Sequence, residues 1–203
     1  MLVVGLTGGL GAGKTLAGSF FAERGAVVLD ADEVARALLE PDAVGYPAVV
    51  GTFGAGILDP GGRIDRARLA SLAFASGGDA RRLDAILHPL VADTLRSRLD
   101  DLAASPSPPS VVVVEVPLLV ESPEVRSLCG LIVSLDAPEG VRMARARARG
   151  MDADDAARRC GLQASDSERA AIADAVVDNS GSAEALRAAL ERFWDREVAP
   201  RVA

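Results

Sequence analysis

One short segment limits what this chain can fold into: Gly8-Gly9-Leu10-Gly11-Ala12-Gly13-Lys14-Thr15. It has the Gly-x-x-x-x-Gly-Lys-Thr spacing of a loop whose backbone N–H groups wrap phosphate oxygens. Glycine permits the turns and the close backbone approach that a Cβ would obstruct. Such a loop works only between a strand and a helix. Residues 2–6 are apolar and strand-like, and residues 14–24 read as a helix with Leu16, Phe20 and Phe21 on one side. A helix starting near Lys14 aims the positive end of its dipole at the same anion. Lys14 is then placed to reach the outer phosphates and Thr15 to ligate Mg2+. Of the 22 basic residues, Lys14 is the one lysine and the rest are arginine. A compact ammonium is kept where a point charge suits a phosphate.

The remaining pattern fits that opening. Strand candidates at 26–29, 111–116, 131–135 and, more weakly, 175–177 alternate with helical segments, including long ones at 79–102 and 183–197. Short apolar strands alternating with helices predict an α/β fold with a mainly parallel sheet. The Val-rich run at 111–116 suits a strand covered on both faces. The Ser-Pro-Ser-Pro-Pro-Ser stretch at 105–110 reads as a stiff surface connector. Residues 142–169 are charge-dense and poor in large apolar side chains, which predicts helical material projecting from the core as a lid. With 203 residues, the chain is expected to be one domain.

Charge narrows the partners. A formal net charge of −7 argues against a general nucleic-acid or membrane-surface binder. No stretch approaches the ~20 apolar residues of a membrane span, and no leader segment is evident, so a cytoplasmic location is expected. Cys129 and Cys160 lack metal-ligand spacing and read as small core residues. A guanine-reading Asn-Lys-x-Asp motif is impossible with Lys14 as the one lysine. Asp59-Pro60-Gly61-Gly62, which has the spacing of a nucleotide switch, reads as a turn.

Asp30-Ala31-Asp32 follows the strand at 26–29 and opens a helix near Glu33. Carboxylates at the carboxyl edge of a parallel sheet lie where ligands of such sheets bind. An acceptor hydroxyl needs one to orient it and take its proton. For Asp30, helix capping or magnesium-water contact weighs equally with catalysis.

These and further motifs together resemble the dephospho-CoA kinase family over nearly the whole chain. Gly5-Leu6-Thr7 with the phosphate loop resembles the family's opening, and Asp30-Ala31-Asp32 its second motif. Phe53-Gly54, Gly62-Arg63-Ile64-Asp65-Arg66 with Leu69, and Leu87-His88-Pro89 follow in order. Val116-Pro117-Leu118-Leu119-Val120-Glu121, Gln163 and the run from Asp174 to Asn179-Ser180-Gly181 complete the pattern. The resemblance implies a three-layer P-loop fold with a parallel central sheet, a helical acceptor-side insertion at about 35–103 and a lid at about 142–171. The core then comprises about 1–34, 104–141 and 172–203. It implies transfer of the ATP γ-phosphate to the ribose 3′-hydroxyl of dephospho-CoA, with Mg2+. Asp32 would be the base, and Lys14 and Arg149 would stabilise the moving phosphoryl. Gly8, Gly11, Ala12, Gly13, Lys14, Thr15 and Leu16 would bind the ATP phosphates, and Asn179 and Gly181 the adenine. Arg66, His88 and Glu121 would line the acceptor side beside Asp32.

Each assignment has a plainer competitor. His88 suits a structural hydrogen bond near the end of a helical turn, and Arg66 an ion pair with surface acids. Glu121 suits an exposed position, and Asn179-Ser180-Gly181 a strand-ending turn. Arg142, Arg145 and Arg149 share a helix face, which by default is solvated. Leu16 and Glu115 depart from the family's usual hydroxyl residue and Asp. A different small-molecule kinase, or an ATP-gated binding module, remains open at this point.

Overall fold

The computed structural model describes residues 1–73 and 77–203. In chain order they form β1 (Leu2–Gly8), α1 (Lys14–Glu23), β2 (Val27–Asp30), α2 (Ala31–Ala37), α3 (Gly45–Phe53), α4 (Arg66–Ala73) and α5 (Gly77–Ala103). There follow β3 (Val111–Glu115), α6 (Pro123–Arg126), β4 (Leu131–Asp136), α7 (Glu139–Ala148), α8 (Ala153–Gly161), α9 (Asp166–Ile172), β5 (Ala175–Asp178), α10 (Ala183–Phe193) and α11 (Ala199–Val202). The chain divides into two compact units, one of Met1–Asp30 with Leu99–Ala203 and one of Ala31–Arg98. No helix among the described residues is long and apolar enough to cross a membrane.

The first unit holds a five-stranded sheet in the order β2-β3-β1-β4-β5, every pair parallel, with helices on both sides. Leu2 lies opposite Val111, Val4 opposite Leu131, Val27 opposite Val112 and Val133 opposite Ala175. Because both faces are covered, the central strands are apolar without alternation. Val4, Leu6, Val113, Val133 and Leu135 pack on one face with Ala17, Phe20 and Phe21 of α1 and Leu186, Leu190 and Phe193 of α10. Phe21 meets Phe20 and Phe193 edge-on, with ring centres 5.6 and 6.3 Å away. On the other face Gly5 leaves room for the segment after β3. A Cβ there would lie 2.8 Å from Cys129 Sγ and 3.3 Å from Leu119.

Two sequence expectations need correction. The helix expected over 183–197 stops at Phe193 and widens into a π turn, Trp194–Val198. There the Ala199 N–H reaches back five residues to the Trp194 carbonyl. Pro200 comes next and has no N–H with which to continue an α-helical ladder. Leu16 is 45% exposed rather than packed with Phe20 and Phe21. Position 16 faces away from the sheet because residues 17, 20 and 21 already fill the buried stripe.

In the second unit, Val49, Ile57, Ile64 and Leu69 form a small core with Tyr46, Val50, Phe53, Leu83, Ile86 and Leu87 around it. Asp59-Pro60-Gly61-Gly62 is a turn, as its composition predicts. The Asp59 carboxylate accepts the N–H groups of Gly61 and Arg63 at 2.8 and 2.9 Å. His88 lies within α5, which covers the helix expected over 79–102 and contains Pro89 in its interior. Packing on Leu83, Ile86 and Leu87 holds the helix together across the donor that Pro89 lacks.

Candidate phosphate-binding site

Residues 8–15 leave β1 at its carboxyl end and enter α1 at Lys14. Gly11 and Gly13 have φ of +79° and +101°, conformations that favour glycine. A side chain at Gly11 would strike the backbone carbonyl of Arg142, and one at Gly13 would strike the Asn179 amide. The Lys14 ammonium folds back over the loop and donates to the carbonyls of Gly8 and Gly9 at 2.8 and 3.3 Å. It is thereby held over the loop, within reach of an anion bound there.

Two cavities adjoin the loop. One, of about 250 Å3, is lined by Gly11, Lys14, Thr15, Glu115, Arg149 and their neighbours. The other, of about 320 Å3, has Leu16, Ala148 and Ala183 as apolar walls and Arg145, Arg149 and Asn179 as polar ones. Arg149 borders both. Glu115 and Asp30 end adjacent strands in register with one another. Thr15 and Glu115 line the same cavity, and all three of these residues offer oxygen donors. Such a set suits a hard divalent cation such as Mg2+.

The elements around the loop are fixed by specific hydrogen bonds. Asn179, 4% exposed, donates its side-chain amide to the Ala12 carbonyl at 2.7 Å, and its backbone N–H meets Asp136. Arg145 donates to the carbonyls of Asn179 and Gly181 at 2.8 and 2.9 Å, tying α7 to the loop after β5. The Gln163 side-chain oxygen accepts the Leu10 N–H at 2.9 Å. Glu121 accepts the Ala164 N–H at 2.7 Å, and its second oxygen is buried without a hydrogen-bond partner among the described residues.

The arginine row on α7 is not a uniformly solvated face. Arg142 is buried; its Nε donates to the Ala137 carbonyl at 2.8 Å and its Nη2 to Asp166 at 3.0 Å. Arg149 is exposed, and its Nε lies 3.4 Å from the Arg145 carbonyl. Sequence reasoning missed Asp166 and Arg169, which pair with each other along α9 while Asp166 also holds Arg142 of α7. The i, i+3, i+7 spacing of the row was the available signal for Arg142.

The structure thus gathers Gly8, Gly11, Ala12, Gly13, Lys14, Thr15, Leu16, Glu115, Arg149 and Asn179 around one loop, with Gly181 tied in through Arg145. Asp32, Arg66 and His88 belong to the second unit. Asp32 is exposed at the second position of α2. Arg66 opens α4 and donates to Glu40 at 3.2 Å, and Arg63 pairs with the same carboxylate. His88 Nε2 lies 3.7 Å from Asp84. Burial pushes the Asp84 carboxyl up, and the charge of His88 works against that.

A phosphate loop and a parallel sheet of this order are shared by many enzymes, so relatives decide between them. A model of the dephospho-CoA kinase family matches residues 2–185. The curated dephospho-CoA kinase of Frankia casuarinae is 38% identical over 201 residues, covering 99% of this chain and 86% of that one. A solved protein from Thermus thermophilus superposes with a TM-score of 0.76 at 27% identity, covering 98% of both chains. The dephospho-CoA kinase structure from Campylobacter jejuni has a TM-score of 0.68 at 19% identity over 95% of each chain, which speaks to the fold. A match that runs through the phosphate loop, the acidic pair and the Asn179 turn alike covers the chain from end to end, and the chain belongs to the dephospho-CoA kinase family.

Proposed function

We propose that this kinase transfers the γ-phosphate of ATP to the ribose 3′-hydroxyl of dephospho-CoA by direct in-line displacement. The observation that carries the ATP half is the cavity shared by the glycine loop, Lys14, Thr15, Glu115 and Arg149. The family membership carries the acceptor half. The loop N–H groups and Lys14 grip the phosphates. The neighbouring cavity, with its apolar walls of Leu16, Ala148 and Ala183 beside Asn179, takes the adenine. Gly181 shapes its rim through the bond from Arg145.

Thr15, with Asp30 and Glu115 near it, would hold Mg2+, which when bound offsets charge on the transferred group. Arg149, bordering both cavities, donates to the equatorial oxygens as negative charge develops. Asp32 orients the 3′-hydroxyl and takes its proton. Arg66, His88 and Glu121 hold the acceptor, and residues at about 35–103 form the acceptor-side insertion. The segment at about 142–171 acts as the lid, and its closure keeps water from the phosphoryl group. A cytoplasmic location fits a supply of both substrates in solution.

The test is ADP production by purified protein with Mg·ATP, with and without dephospho-CoA, and mass and fragmentation analysis of the product. Acceptor-dependent turnover with one phosphate added at the ribose 3′ position is expected. Turnover that ignores dephospho-CoA but responds to another alcohol would overturn the acceptor assignment.

A further inference from the structure

We infer that Asp166 is a positioning residue for the phosphate loop, acting through two guanidinium groups that it holds against Gly9. This rests on the reading of the loop as the ATP site. Arg142 comes from α7 and Arg169 from α9, yet both end at the crest of the same loop. Their side chains are 7% and 4% exposed. A Cβ at Gly9 would lie 3.0 Å from Arg169 Nη2 and would strike Arg142 Nη1.

Two buried cations side by side are unfavourable unless each is paired and hydrogen-bonded. Asp166 supplies the shared anion. Its Oδ2 accepts from Arg142 at 3.0 Å, and its Oδ1 accepts from Arg169. Two further donors go to backbone carbonyls, Arg142 Nε to Ala137 at 2.8 Å and Arg169 Nη1 to Ala164. Two guanidinium groups and one carboxylate thus stand against the backbone of Gly9, outside the two cavities that adjoin the loop.

A second tether lies beside the first. Gln163 accepts the Leu10 N–H at 2.9 Å. Gly11 in turn lies against the backbone carbonyl of Arg142. Residues 9, 10 and 11 are therefore backed by side chains and backbone from the two ends of the segment at 142–169. The crest is pre-shaped for an anion rather than left to find its shape on binding. Glu139 and Glu168 line the cavity beyond this clamp, and Glu168 is occupied by Ser165, whose N–H it accepts at 2.8 Å. Neither replaces Asp166 between the two arginines in the hydrogen bonds seen.

The experiment is calorimetric binding of Mg·ADP to the wild-type chain and to the Asp166→Asn, Asp166→Glu, Arg142→Met and Asp166→Asn/Arg142→Met variants. ADP needs no acceptor, so this readout is separate from the identity of the acceptor. Failure of the wild-type chain to phosphorylate dephospho-CoA would count against the proposed function and leave the clamp testable. Asp166→Asn is expected to weaken ADP about tenfold, with Asp166→Glu recovering most of the loss. In the Arg142→Met background the same substitution should cost much less, because one of the two cations is already gone. In turnover assays the KM for ATP should rise while that for dephospho-CoA stays within about twofold. Wild-type ADP affinity in Asp166→Asn would overturn the inference, as would equal rises in both KM values. Should Asp166→Asn fail to fold, Arg142→Met, which keeps the Arg169–Asp166 pair, decides alone. Unchanged ADP affinity in that variant would overturn the inference too.

Discussion

Gly13→Ala should be among the most damaging single-methyl additions to this protein, through two separable causes. Gly13 has φ +101°, and a non-glycine residue held in such a region costs of order 1–3 kcal/mol. The new methyl would also strike the Asn179 amide, which donates to the buried Ala12 carbonyl at 2.7 Å. Displacing that amide strands a buried donor and acceptor, at about 1–3 kcal/mol. The two together give roughly 2–6 kcal/mol, a large part of the ~5–15 kcal/mol stability of a typical domain. At ~2–4 °C per kcal/mol for a chain of this size, a central value near 4 kcal/mol lowers the melting temperature by roughly 8–16 °C. Urea unfolding, with Asn179→Ala and the double variant alongside, separates the causes. Asn179→Ala alone should cost about 1–3 kcal/mol. The double variant should fall short of the sum by about the same amount, since the amide bond is lost only once. Full additivity, or a loss below ~1 kcal/mol in Gly13→Ala, would refute the reasoning.

Four further outcomes are expected. Asp32→Asn should lower turnover by ~10²–10⁴ with Mg·ADP binding nearly intact, and normal turnover would remove Asp32 from the base role. Arg149→Ala should lower turnover by about 10²–10³ while moving the melting temperature little, because the side chain is exposed and borders both cavities. The carboxyl of Asp84 is raised by burial, so the folded chain holds that proton more tightly than the unfolded one and stability falls as pH rises through the two values. Asp84→Asn should therefore melt at or above the wild-type temperature at neutral pH, with the difference shrinking as pH falls. A deficit that grows with pH would contradict the sign. Burial pushes the Cys129 thiol up to about 12, so iodoacetamide at about pH 8 should label it slowly in the native chain and quickly in urea, as peptide mass analysis would reveal.

Much of the architecture was legible because it is written in neighbours. The glycine spacing of residues 8–15 needs no distant partner to be recognised, since it reflects the backbone path of one turn. The strands at Leu2–Gly8, Val111–Glu115 and Leu131–Asp136 announce themselves through continuous apolar runs, which follow from burial on two faces. The short β5 was the weakest of the five, because a sheet edge needs less apolar surface. Val176 there is 50% exposed. The end of α10 was misjudged because a π turn before Pro200 leaves the helical periodicity of the preceding residues intact.

What only the tertiary structure decided is which polar side chains meet. Arg142 and Asp166 are 24 positions apart, Leu10 and Gln163 are 153 apart, and Asn179 reaches Ala12 across 167. No local pattern separates a buried arginine from a solvated one, since charge and helical spacing are the same for Arg142 and Arg149. Their fates differ because Arg142, in the first turn of α7, lies against Gly9 and pairs with Asp166, whereas Arg149, just past the end of α7, borders the two cavities. Sequence alone thus determined that the turn between β1 and α1 has the form of a phosphate loop, because such a grip is made by backbone N–H groups whose arrangement glycine and lysine spacing sets. Which charges stand behind the grip depends on pairings that form only after the sheet has brought β4 and β5 alongside β1.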